Sequence, residues 1–147
     1  MYKTKAVVLE QPGQVVLNSL ALDTPGAGDL VIDIDWSGIS TGTERLLWSG
    51  RMPNFPGMGY PLVPGYESVG RVIEAGALAG VAVGTRVFVP GAKCFGKVNG
   101  LFGGAAAKLV VPADRTIVIN DSLGENGILL ALAATAYHVT SMPGAEQ

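Results

Sequence analysis

The chain has 147 residues, of which 48% are hydrophobic and 15% charged, with a formal net charge of -2, one histidine and one cysteine. That is one ordinary domain, long enough to bury a real core and too apolar to be disordered. It carries no basic field for nucleic acid, and Cys94 alone excludes an internal disulfide or a cysteine-based zinc cluster.

The 21 glycines and nine prolines imply many tight turns between short strands, a mainly β domain. Thr4 to Leu9 predicts a strand ended by Gln11-Pro12-Gly13, with Val15 to Leu22 as its hairpin partner. Leu30, Ile32, Ile34 and Trp36 alternate with Asp33 and Asp35, which predicts a half-buried antiparallel strand. Thr43 to Ser49 predicts a helical turn capped by Thr43. Arg51 to Pro64 has no period and predicts a long loop, the kind that is usually functional. Tyr66 to Ala75, Arg86 to Pro90, Lys108 to Pro112 and Thr116 to Ile119 predict further strands, with a glycine-rich excursion over Gly91 to Gly104. A helix is predicted from about Ser122 to Thr140, with Ser122 and Glu125 forming a capping box. Residues Met1 to Glu10 lack the apolar core of a signal peptide, and Ile128 to Ala136 is too short to span a membrane, so the expectation is a soluble cytoplasmic protein.

Two segments carry chemistry. Ser37 to Glu44 reads SGISTGTE and Val63 to Gly76 reads VPGYESVGRVIEAG. With the GTRV turn, GGAAAKLVVPADR and the ALAATAYHV helix, their order resembles the N-terminal GroES-like β-barrel domain of the medium-chain dehydrogenase/reductase superfamily, over essentially the whole chain. The resemblance implies residues 1–123 as the substrate-side domain. It implies 124–147 as a helix leading to a Rossmann domain whose G-x-G-x-x-G turn is absent from this sequence. The chain alone is therefore expected to be inactive, and dimers, where the longer protein forms them, to be homodimers made through the other domain.

In zinc-bearing members a cysteine stands at the position of Thr41 and a histidine at that of Tyr66, and a third ligand aligns with Ala131. Thr41 and Tyr66 are poor zinc ligands and Ala131 is none, so the resemblance implies a zinc-free member. It implies catalytic roles for Thr41, Thr43, Tyr66 and Glu67. Thr43 would relay the hydroxyl proton, Thr41 would hold the substrate oxygen, and either Tyr66 or Glu67 would serve as base. Each also reads as a structural residue: Tyr66 as a strand aromatic, Glu67 as an ion-pair partner, the threonines as turn residues. His138 reads as a structural histidine and Cys94 as inert.

WSGISTGTERLLWSGRMPNFPGMGYPLVPGYE, VFVPGAKCF and GLFGGAAAKLVVPADR resemble more narrowly the bacteriochlorophyllide dehydrogenases. That family oxidises the 3-(1-hydroxyethyl) group of a tetrapyrrole to 3-acetyl with NAD, in bacteriochlorophyll biosynthesis. The likeness implies a flat apolar slot for the ring, with Trp48, Phe55 and Tyr60 beside Met52 and Met58 as its platform, and Arg51 or Arg45 meeting a propionate. NAD would be held mainly by the other domain, with Thr135 the cofactor-binding position here. Two alternatives stay open: a zinc-free, NADPH-dependent reductase of the quinone oxidoreductase type, and a pigment-binding module without catalysis. A GroES-like co-chaperonin is disfavoured by the GYE and ATAYHV segments.

Overall fold

The computed structural model describes residues 2–141. The N-terminal hairpin pairs β1 (Lys3–Gln11) with β2 (Gln14–Ala21) in antiparallel register from Lys3↔Ala21 to Leu9↔Val15. Its turn closes on Gly13, whose φ of 78° is a conformation only glycine adopts without strain. Along β1, Thr4, Ala6 and Val8 point inward while Lys3, Lys5 and Val7 face out, the period-2 pattern of a strand with one buried face.

The chain continues through β3 (Asp29–Ser37), α1 (Thr43–Trp48), β4 (Leu62–Val63), β5 (Ser68–Ala75), β6 (Arg86–Val89), β7 (Asn99–Gly100), β8 (Lys108–Pro112), β9 (Ile117–Val118) and α2 (Leu130–Thr140). One sheet runs β2-β1-β4-β7 and the other β8-β3-β5-β6-β9. The segment before β8 stitches them together: Val7 N–H donates to the Ala105 carbonyl at 2.9 Å and Ala107 N–H to the Lys5 carbonyl at 2.8 Å. The result is a mainly β barrel with a C-terminal helix, filled by Leu30, Val31, Ile32, Val72, Val87, Val89 and Leu109. A smaller cluster of Leu9, Leu47, Leu62 and Leu101 lies beneath α1, with Met52, Met58 and Tyr60 packed on it.

Four sequence expectations are corrected. In β3, Val31 is buried and Trp36 half exposed. Leu30, Val31 and Ile32 are all buried, so alternation does not hold there; farther on, Asp35 is the extra residue between Ile34 and Trp36 in the pairing with β5, and this bulge turns Trp36 to the other face. The loop over 51–64 contains β4, which pairs with β1 at Leu9↔Leu62. Thr43 does not cap α1: Ser40 Oγ accepts its N–H at 3.1 Å, while Glu44 Oε2 accepts the Ser40 N–H at 3.1 Å.

The long helix begins instead as a 3-10 segment over Asp121–Leu129, broken at Gly124 (φ 52°, ψ -134°), and only α2 is α-helical. Its cap is Asn120, whose side chain accepts the Ser122 N–H at 2.8 Å. No helix among the described residues is long and apolar enough to cross a membrane. The expected linking segment extends past residue 141, outside the described residues.

Candidate active site

Strands β3 and β5 run antiparallel with Ser37 opposite Ser68. The chain therefore leaves β3 into SGISTGTE at the edge where it enters β5 from GYE. Two contacts lock the turns together. Gly38 N–H donates to the Glu67 carbonyl at 2.7 Å. The Ser68 hydroxyl donates to the Gly104 carbonyl at 2.8 Å and lies 3.2 Å from Ser37 Oγ. Thr41 and Thr43 thus share one end of the barrel with Tyr66 and Glu67. No hydrogen bond joins these four side chains among the described residues. Thr41 is exposed, and Thr43 and Tyr66 are half-buried.

Glu67 is the unusual member. It is 6% exposed, and Oε1 makes no hydrogen bond. Its carboxylate folds over Gly38, where an added Cβ would sit 2.6 Å from Oε2 and 2.9 Å from the Glu67 Cβ. A larger residue at 38 has no room. Burial disfavours the charged form and pushes the Glu67 carboxyl above its ordinary pKa. Burial raises Glu44 as well; its own and Ser40's backbone N–H groups pull it back, and the Glu67 charge pushes it up again. Ser40 and Gly38 are the positioning residues that sequence reasoning missed, since the four-residue spacing from Ser40 to Glu44 is not the three-residue spacing of a capping box.

The structure divides the expected substrate residues. Tyr60 is half-buried on the small leucine cluster, and its hydroxyl donates to the Leu47 carbonyl. With Met52 and Met58 it supports α1 rather than forming an open platform, because β4 draws this end of the loop onto β1. Trp48 stands half exposed at the end of α1. Arg51 is exposed, with Nε donating to Ser49 Oγ at 3.1 Å.

Phe55 is separate from these. It borders a cleft of about 480 Å³ with Phe102, Leu101, Val111, Lys93 and Arg115, and Arg51 is not part of that wall. Phe102 also meets the Tyr66 ring edge-on, with centroids 5.4 Å apart and planes at 73°, so the cleft begins one ring away from Tyr66. No sequence period marked Phe102, Lys93 or Arg115.

On α2, the Thr135 hydroxyl donates to the Ala131 carbonyl at 3.0 Å, and His138 is exposed without a side-chain hydrogen bond among the described residues. It is therefore not a histidine tied into the fold by side-chain bonds. Burial pushes the Cys94 thiol up to about 11, which leaves it protonated at neutral pH.

Residues 26–121 match the alcohol dehydrogenase GroES-like domain. The chain belongs to that family. The chain is 53% identical over 137 residues to a 2-desacetyl-2-hydroxyethyl bacteriochlorophyllide A dehydrogenase of Rhodobacter capsulatus, covering 92% of this chain and 44% of that protein. It is 52% identical over 141 residues to the protein of the same name from Cereibacter sphaeroides, again 92% of this chain and 44% of that one. The chain thus spans less than half the length of both curated relatives. Among solved structures, a zinc-binding dehydrogenase of Sinorhizobium meliloti bound to NADP superposes with a TM-score of 0.78 at 26% identity, over 98% of this chain and 46% of that one.

Thr41, Tyr66 and Ala131, the residues that the resemblance sets at the zinc-ligand positions, do not fit a catalytic zinc. They present an aliphatic hydroxyl, a phenol and the Ala131 methyl group, where a catalytic zinc needs about three imidazole, thiolate or carboxylate donors. No three His, Cys, Asp or Glu side chains converge among the described residues. A dinucleotide finds no glycine-rich turn between strand and helix there. On α2, Leu132, Tyr137 and Val139 are exposed alongside Thr135.

Proposed function

We propose that this chain is the substrate-side part of a dehydrogenase that oxidises the hydroxyethyl group of a bacteriochlorophyllide to acetyl, in bacteriochlorophyll biosynthesis, with NAD and without a metal. The hydroxyethyl carbon is position 2 in the relatives' names and position 3 in the numbering used above. The observation that carries the reading is 52–53% identity over 92% of the chain to two proteins named for that activity. The NADP-bound neighbour supports a nicotinamide dinucleotide in general; NAD in particular is part of the proposal. The reading divides the chain into a substrate domain over 1–123 and a helix over 124–147 leading to a cofactor domain, a division that the break at Gly124 supports.

The nicotinamide, when bound, takes the hydride from the hydroxyl-bearing carbon. The residues of this chain handle the proton and the oxygen. Thr41, exposed in the turn, holds the substrate oxygen, and Thr43 passes its proton inward. Glu67 receives it, because its unpartnered and desolvated Oε1 gives a carboxylate more basic than an ordinary one. Tyr66 shapes the wall toward Phe102. As C–H and O–H bonds break and C=O forms, one hydride and one proton leave.

The test is a chimera in which this chain replaces the equivalent part of the Rhodobacter capsulatus relative. It is expected to form acetyl pigment and NADH, and Glu67→Gln is expected to lower turnover about 10²–10⁴-fold, the scale of general-base loss. A folded, NAD-binding chimera with no turnover would refute the function. Normal turnover in Glu67→Gln with Thr43→Val inactive would move the base elsewhere.

A further inference from the structure

The cleft bordered by Phe55 and Phe102 has a chemistry that the four turn residues do not use. Two aromatic rings, 36% and 40% exposed, stand over a floor that includes Leu101 and Val111. Two cations close it: Lys93 from the glycine-rich excursion and Arg115 from the turn after β8. Both are exposed, and neither has a salt bridge or side-chain hydrogen bond among the described residues. An apolar slot ended by unpaired cations suits a flat ring carrying a carboxylate, and about 480 Å³ lies within the range of small-molecule sites.

The wall is preformed. Ala92 N–H donates to the Phe102 carbonyl at 2.8 Å, folding the excursion back on itself. Gly100 and Gly103 lie so close to Ala92 that an added Cβ would fall 2.1 Å and 1.9 Å from its carbonyl oxygen. Phe102 is therefore held in place by tight backbone packing, lining the cleft while its ring makes an edge-type contact with Tyr66.

We propose that this cleft seats the macrocycle of a tetrapyrrole free acid, with Phe55 and Phe102 against the ring and Lys93 and Arg115 meeting its propionate. The inference rests on the bacteriochlorophyllide reading above. A bacteriochlorophyllide, unlike the esterified pigment, carries a free carboxylate, so the charge match selects the unesterified ring. A ring lying on Phe102 directs its far substituent toward Tyr66 and the turn residues. The expected carboxylate partners are thus Lys93 and Arg115 in place of Arg51 or Arg45.

The experiment is an absorbance titration of the 147-residue chain with bacteriochlorophyllide a and, separately, with its propionate methyl ester. The unaltered chain should bind both, the acid more tightly. Lys93→Gln with Arg115→Gln should weaken the acid by about tenfold, the yield of two exposed ion pairs, and leave the ester unchanged. Both sites are on the surface, so thermal unfolding should not move. Phe55→Ala should weaken acid and ester alike. Acid binding unchanged in the double charge variant would overturn the placement while leaving the pigment reading intact. An unaltered chain that binds neither acid nor ester would overturn both.

Discussion

At the scale of single residues, Glu67 works against stability. Its Oε1 is buried with no hydrogen bond, and Gly38 is there because the carboxylate leaves no space for a side chain. An unpaired buried carboxylate is costly when charged and prefers to be neutral. With a folded-state pKa above the unfolded value, near about 4.3 for glutamate, the native state binds the extra proton. Stability from this group is therefore fully present below the unfolded pKa and is lost as pH rises through the folded one. Glu67→Gln keeps the shape and removes the charge. The variant should be more stable than its parent at pH 7–8, by a margin that vanishes as pH falls toward about 4. Urea unfolding across that range measures it. Parallel stabilities at every pH would show a carboxylate whose pKa is the same in the folded and unfolded chain, and would overturn the burial argument. The same variant should lose turnover, since an active site keeps groups that folding alone would discard.

At the scale of elements, α1 is six residues long, too short to persist alone. It stands because Ser40 and Glu44 close its first turn, Leu47 is fully buried beneath it, and the Tyr60 hydroxyl takes the Leu47 carbonyl. Tyr60→Phe should cost about 1 kcal/mol of stability, the net value of one hydrogen bond. Tyr60→Ala should cost roughly 2 kcal/mol, below a full core deletion because the ring is only half-buried. Denaturant melts of the two variants test this, and unchanged stability in both would return Tyr60 to the role of open platform. The example also shows what the sequence made legible. β1, β2 and β8 announce themselves as short apolar runs bounded by turn residues, and they lie within two residues of where they were expected. In β3 the alternation misled at Trp36, since the bulge at Asp35 resets the face without any mark in composition. The SGISTGTE and GYE turns were readable as family motifs, and they meet at one end of the barrel. The cleft was not. Phe102, Lys93 and Arg115 converge with Phe55 only through the long-range closure of an aperiodic excursion, and no local preference encodes that.

At the scale of the whole molecule, the barrel and α2 differ in how they are held. The barrel ties its strands across two sheets and buries their side chains. The connection to α2 is clamped at its start. The mostly buried Arg86 donates from Nη2 to the Gly124 carbonyl at 3.1 Å and lies 3.6 Å from Asp35 Oδ2, while Gly127 packs where a Cβ would meet Ile119 and Val69. Beyond that clamp α2 has no buried residue, and Leu132, Tyr137 and Val139 are exposed. Eleven residues of helix without tertiary burial fall just under the length at which a helix is even marginal in water. Amide hydrogen exchange on this chain should therefore find 130–140 opening with little protection, while β3 and β5 exchange only through global unfolding. In the chimera with the relative's remaining half, the same amides should become protected, because the apolar face of α2 would then be covered. Protection of α2 equal to that of β3 in the chain by itself would mean that something else covers it. Sedimentation would then show a second copy of the chain, and α2 would be a self-association surface in place of a seam to a cofactor domain.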